Sequence, residues 1–244
     1  MAGIIDLKSV SFSAQNRLIV HDFSYEFEEG KTTALVGPSG CGKSTILKLS
    51  AGILVPSEGK ISFRDREIFS MNRHETLDFR REAAMVFQDS ALWANQTLYQ
   101  TLELPLRIHF PNMSTIERKE RIDTVLREVG YRRNHDTRPS LLSMGEQKLI
   151  AFARALVCGP KLLFLDEWTE SLDDNAAQRL IQLVKRHQKH QYTVICVSHD
   201  FRMVRNLADY VLMIVGGRLF LKISREQMDN DEDLAHYVEK GIAS

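Results

Sequence analysis

The chain has 244 residues, 43% of them hydrophobic, with 32 Lys plus Arg balanced by 32 Asp plus Glu. That length is enough for one large domain with a substantial core. Zero net charge excludes the basic excess by which proteins hold nucleic-acid phosphates, so no nucleic acid is expected as a partner.

Met1 to Val10 carries Asp6 and Lys8 and no apolar run of signal-peptide length. Lys161–Leu165 and Val211–Val215 are apolar but too short to span a bilayer. The expectation is a soluble chain that reaches a membrane only through a partner. Cys41, Cys158 and Cys196 are few, odd in number and far apart, which suits reduced thiols in the cytosol.

The first thirty residues read as strands. Phe23, Tyr25 and Phe27 alternate with Ser24, Glu26 and Glu28; Ile5, Leu7, Val10 and Phe12 form a second strand with a break in phase. Ile61 and Phe63 after Gly59 suggest a third, and together these make a small antiparallel sheet. Thr32–Val36 is a short buried strand, followed by Gly37, Pro38, Ser39, Gly40, Cys41, Gly42, Lys43, Ser44 and Thr45, and then by the helical start Ile46, Leu47, Leu49. A glycine, four residues, then Gly42-Lys43-Ser44 between strand and helix is a P-loop. Glycines let backbone N–H groups approach a phosphate, and the helix N-terminus adds partial positive charge. Lys43 would reach the β- and γ-phosphates, and the Ser44 hydroxyl would ligate Mg²⁺. Cys41 within the loop reads as small filler.

From about Ser90 to Leu142 the pattern is helical. Ser114 and Glu117 form a capping box, Ile122, Val125, Leu126 and Val129 recur at helical spacing, and Gly130 supplies the stop. Beyond it, strands at Leu162–Leu165 and Tyr192–Val197 alternate with helices marked by Ala177, Leu180, Ile181, Val184 and by Phe201, Val204, Ala208. Alternation of this kind implies a parallel sheet covered on both faces. Gly216-Gly217 turns a final hairpin. The fold class is α/β: a P-loop NTPase core with a mainly parallel sheet, an antiparallel β subdomain and an α-helical insertion. We place the core at 1–88 and 151–222, the helical subdomain at 89–150 and a tail at 223–244. In the tail, Leu234, Tyr237 and Val238 stand at helical spacing, ready to dock on the core or on a partner.

Leu162–Leu165 delivers Asp166 and Glu167 at the strand end where open α/β sheets bind ligands. Asp166 suits the Mg²⁺ shell and Glu167 suits polarising an attacking water. Leu142-Ser143-Met144-Gly145-Glu146-Gln147 precedes a helix. The order of P-loop, Gln88, Leu142-Ser143-x-Gly145, Asp166-Glu167, Ser171-Leu172-Asp173 and Ser198-His199-Asp200 resembles the ATP-binding cassette (ABC) transporter ATPases over nearly the whole chain.

That resemblance implies an ATPase working on ATP and Mg²⁺ as a head-to-tail dimer, each nucleotide lying between the P-loop of one subunit and the signature segment of the other. Ser143 and Gly145 would then face the γ-phosphate held by the other protomer. Gln88 would sense Mg²⁺ and the attacking water, Asp173 would support contact across the dimer, and His199 would contact the γ-phosphate. It also implies a transmembrane permease subunit as partner and a peripheral position on the cytoplasmic face of the membrane. Long coiled coils and zinc cysteines, as in chromosome-maintenance cassettes, are absent from the sequence, and so is the second cassette of a translation factor.

The departures are specific. Met144 replaces the usual glycine of the signature and Glu146 the usual glutamine, where a carboxylate near a triphosphate is expected to weaken binding or to have its pKa raised. Trp168 stands where proline is usual. Ala14 stands where an aromatic ring commonly stacks on adenine, leaving Phe12 as a substitute or no ring at all. Gln88–Trp93 and Leu104-Pro105-Leu106-Arg107 resemble the lipid-asymmetry and mammalian-cell-entry type cassettes, which implies lipid transport. The alternatives are a cassette that works a membrane partner mechanically and an importer of a small solute. Leu92, Trp93 and Leu98 would line the groove for the membrane subunit or belong to the core.

Overall fold

A computed structural model describes residues 3–243. The two long strands β1 (Gly3–Ala14) and β2 (Arg17–Glu28) pair antiparallel, with Leu7 opposite Tyr25 and Val10 opposite Phe23. The break in phase is a bulge: the register shifts between Leu7 and Val10, and Ser9 lies there at a φ of 49°. The extra residue returns Val10 to the buried face beside Ile5 and Leu7. Strand β4 (Glu58–Phe63) lies on the other side of β1, and β5 (Arg66–Glu67) closes a four-stranded sheet of order β2-β1-β4-β5.

The second sheet has the order β10-β9-β3-β8-β7-β6. Its members are β3 (Thr32–Val36), β6 (Ala83–Val86), β7 (Leu162–Asp166), β8 (Thr193–Val197), β9 (Tyr210–Val215) and β10 (Arg218–Ser224). All neighbours run parallel except the β9–β10 hairpin. Every residue of β3, β7 and β8 is buried, as continuous apolar runs require when both faces are covered. Strand β6 and the helix before it, α2 (Arg73–Glu82), have no expectation in the sequence reading. The helix is almost wholly polar with only Phe79 buried, and it is started by an Asn72–Glu75 capping box rather than by an apolar stripe.

Two apolar layers flank the six-stranded sheet. One lies between the sheets and encloses α1 (Lys43–Ser50) through Ile46, Leu47 and Leu49, against Phe23, Phe27 and Phe164. The other lies under α5 (Met144–Leu156), α6 (Asp174–Lys189) and α7 (Phe201–Leu207), and continues into α3 (Leu98–His109) and α4 (Thr115–Val129). Helix α4 begins at the Ser114–Glu117 box and ends at Gly130, as its sequence indicates. Helix α5 runs unbroken through position 150/151 and touches α3 and α4 as well as β6, so the helical subdomain joins the core through a helix and not a linker. Trp168 is the largest fully buried side chain, its ring 5.5 Å from that of Phe152 in α5. The tail forms α8 (Arg225–Asn230) and α9 (Glu232–Ala243), docked on the core with Met228 and Val238 fully buried.

Candidate functional site: a nucleotide cavity at the sheet's C-terminal edge

Strand register builds the site. Val86 pairs with Leu165, Asp166 with Val197, and Leu35 with Val197 across β3 and β8. The residues that follow each strand therefore emerge side by side: Gly37 after β3, Gln88 after β6, Glu167 after β7, and Ser198 and His199 after β8. A cavity of about 500 Å³ opens at this edge, lined by Ser39 to Thr45, Gln88, Glu167 and His199, together with Arg17, Leu18, Ile19, His21, Gly216 and Gly217.

The loop between β3 and α1 turns because two glycines allow it. Gly37 sits at a φ of 138°, where a Cβ would lie 2.1 Å from the Ile214 carbonyl; Gly42, at 103°, caps α1 without a side-chain bond. The first turn of α1 thus points uncapped N–H groups at the cavity, as an anion site requires. Lys43 is 5% exposed, and its Nζ donates to the carbonyls of Gly37 (2.7 Å) and Pro38 (2.9 Å), which fixes the ammonium at the centre of the loop.

Ser44 Oγ donates to Asp166 Oδ1 at 2.7 Å. Asp166 is fully buried, yet its Oδ2 accepts no hydrogen bond and has only Lys48 Nζ at 3.9 Å. A buried carboxylate oxygen without a donor is costly, and together with the serine hydroxyl it forms a pair of oxygens suited to a hard cation. Glu167 takes a φ of 44°, strained for a residue with a Cβ, and its N–H is held by the Val197 carbonyl at 3.2 Å. Its Oε1 lies 2.8 Å from His199 Nε2. Burial raises the Glu167 pKa; the imidazole opposes this and Asp166 reinforces it, so burial prevails. A carboxylate moved toward neutrality is a better base for water.

Gln88 lines the cavity, and its amide donates to Glu170 Oε2 at 3.2 Å. Ser143, Gly145 and Asp173 are not part of the cavity wall in this chain. Ser143 is exposed and caps α5, and Asp173 is exposed and caps α6 through the Ala176 N–H at 2.8 Å. One chain therefore carries two incomplete surfaces: a phosphate loop with its carboxylates, and a separate helix start with a free face.

The sequence profile of the ABC transporter family matches residues 20–170. The chain belongs to that family. It is the ATP-binding, ATP-hydrolysing subunit of an ABC transporter. The cassette is 32% identical over 233 residues to the intermembrane phospholipid transport system ATP-binding protein MlaF of Haemophilus influenzae, a match covering 95% of this chain and 88% of that protein. It is 36% identical over 210 residues to the nickel import ATP-binding protein NikE of Shigella flexneri, covering 84% of this chain and 78% of that one. Among solved structures it resembles a dimeric ATP-binding cassette in a post-hydrolysis state bound to ADP and Pi, with a TM-score of 0.84, 27% identity, and coverage of 91% of this chain and 99% of the other.

In the nucleotide-free chain the Glu146 pKa is lowered: the Ser143 N–H donates to Oε2 at 2.9 Å, the Ser143 hydroxyl does so at 3.1 Å, and Arg133 pairs with Oε1 at 2.9 Å. The capping box overrides any effect of composition. Phe12 packs against the core between the sheets and is not among the residues lining the cavity, which include Arg17, Leu18 and Ile19. Of the residues suggested for the groove, Leu98 is fully buried core, Leu92 is partly buried against the same layer, and Trp93 is 45% exposed beside Arg154. The sequence reading missed Lys148 and Glu170, which reach Gln88 only through tertiary register.

Proposed function

We propose that this cassette powers the movement of lipid by a membrane partner, using MgATP bound between two copies of the chain at the cytoplasmic face of the membrane. The observation that carries the lipid reading is the near full-length likeness to the phospholipid-system protein MlaF. The start of the segment Gln88–Trp93 supports it: Gln88, Asp89 and Ser90 border a groove of about 580 Å³ together with Phe87, Met144 and Gln147.

Ser44 Oγ and Asp166 are the residues that would hold Mg²⁺, as the unsatisfied Asp166 Oδ2 beside the serine hydroxyl suggests. Among the described residues no three His, Cys, Asp or Glu side chains converge to hold a metal unaided, so phosphate oxygens and water would supply its other ligands. The ion, when bound, neutralises charge on the β- and γ-phosphates. The remaining work belongs to the chain. Gly37, Pro38, Ser39, Gly40, Cys41, Gly42 and Thr45 shape the loop, and Lys43 holds the terminal phosphates. Glu167 accepts the proton of the attacking water, and His199, 2.8 Å from it, contacts the γ-phosphate. Gln88 joins this set on leaving Glu170. Ser143, Gly145 and Asp173 of the second copy complete the enclosure, as the exposure of Ser143 and Asp173 at helix starts suggests.

The substrate class is tested by reconstituting the cassette with its membrane subunit in vesicles and following labelled phospholipid. ATP-dependent movement of phospholipid is expected. Nickel uptake, favoured by the 36% identity to NikE, or ATP turnover without movement of any solute would overturn the lipid assignment and leave the ATPase intact.

A further inference from the structure

Lys148 lies on α5, one helical turn beyond Ser143 and Gly145, and is 3% exposed. A buried ammonium has three donors to place and a large desolvation cost to offset. This one donates to the carbonyl of Gln88 and, at 3.4 Å each, to the carbonyls of Phe87 and Glu167. All three acceptors are therefore main-chain oxygens on the turns that follow β6 and β7. Burial lowers the lysine's pKa, and the carboxylates of Glu170, Asp166, Asp89 and Glu167 oppose that. Its other side borders the 580 Å³ groove with Gln88, Met144 and Glu170.

The placement is selective. Glu167 holds a left-handed φ of 44°, a conformation that persists only when its neighbours determine it on both sides. Val197 fixes its N–H at 3.2 Å, and Lys148 fixes its carbonyl. The same ammonium grips the Gln88 carbonyl, while the Gln88 side chain binds Glu170. We propose that Lys148 is a positioning residue for ATP hydrolysis: it locks the main chains of Gln88 and Glu167 into one unit on the helix that carries Ser143 and Gly145. A shift of that helix is then felt at both residues together. This rests on the roles assigned above to Glu167 and Gln88.

The test compares Lys148→Met, which keeps the stem and removes the ammonium, with Lys148→Arg, which keeps charge and donors. In the full chain Lys148→Met should lower kcat roughly ten- to hundredfold, the scale of a small misplacement of reacting groups, with KM for ATP within about twofold. Lys148→Arg should recover most of the loss. Amide hydrogen exchange, read without nucleotide, should quicken at 87–90 and 166–168 in the methionine variant while α3 and α4 are unchanged. A rise in KM matching the fall in kcat, or faster exchange throughout the chain, would make Lys148 a simple structural tie and overturn the proposal. If the methionine chain does not fold, Lys148→Gln, neutral and able to reach fewer carbonyls, carries the same comparison. Glu167→Gln is run in parallel. Normal turnover there sinks the roles on which the proposal rests, whereas a dead Glu167→Gln beside a fully active Lys148→Met sinks the positioning role alone.

Discussion

Glu146→Gln isolates what a carboxylate costs at the start of α5. In the free chain the Ser143 hydroxyl gives its one proton to Glu146 Oε2 at 3.1 Å, so a γ-phosphate from a second copy must compete for it. Glutamine still completes a capping box, so the helix start is retained. The Arg133 pair that disappears involves a side chain 71% exposed and contributes well under about 1 kcal/mol. The charge is the larger effect. A phosphate bonded to Ser143 would stand roughly 5–6 Å from the carboxylate, and at the dielectric of water a doubly charged phosphate is then repelled by about 1.5 kcal/mol. Removing that repulsion at both equivalent sites of the dimer, about 3 kcal/mol together, should tighten ATP-driven dimerisation about a hundredfold, with a smaller gain at high salt. Sedimentation equilibrium with ATP, in chains also carrying Glu167→Gln to prevent turnover, measures the change. Unchanged or weaker dimerisation would refute the reasoning.

His187 supplies a pH test away from the nucleotide. Its ring is buried against Tyr192 with Nε2 unpartnered, and burial pushes its pKa down to about 4 from 6.5. A depressed histidine contributes stability that is complete above 6.5 and is lost as pH falls toward 4, amounting to about 2 kcal/mol between pH 7 and pH 5. Urea unfolding of His187→Phe should show that share of the acid sensitivity gone; an identical pH slope would contradict it. Trp168→Ala should cost about 3–5 kcal/mol by the same assay, as expected of a fully buried ring that leaves a cavity. Trp168→Phe should cost much less, since the indole Nε1 has no partner to lose; equal losses would show that the N–H matters.

What was legible in the sequence was local. The P-loop announces itself because its glycines, lysine and serine act within nine residues, and β3, β7 and β8 because a strand covered on both faces needs an unbroken apolar run. The helix start at Ser114 follows from capping residues three apart. What was hidden depends on register between distant segments. Lys148 reads as one more polar residue on an amphipathic helix until β6 and β7 pair and bring Gln88 and Glu167 to it. Helix α2 was hidden for the opposite reason: it buries little and has no stripe to find. The lowered pKa of Glu146 in the free chain likewise depends on a partner set by folding, the Ser143 N–H together with Arg133.

The central claim is that Glu167 drives hydrolysis in a site that closes only around ATP. Its most direct test is single-turnover hydrolysis by Glu167→Gln alongside ATP binding. The account predicts ATP affinity within about threefold of the parent, turnover reduced at least a hundredfold, as expected when a positioned base is removed, and an ATP-bound dimer that accumulates. Hydrolysis at the parent rate would contradict it.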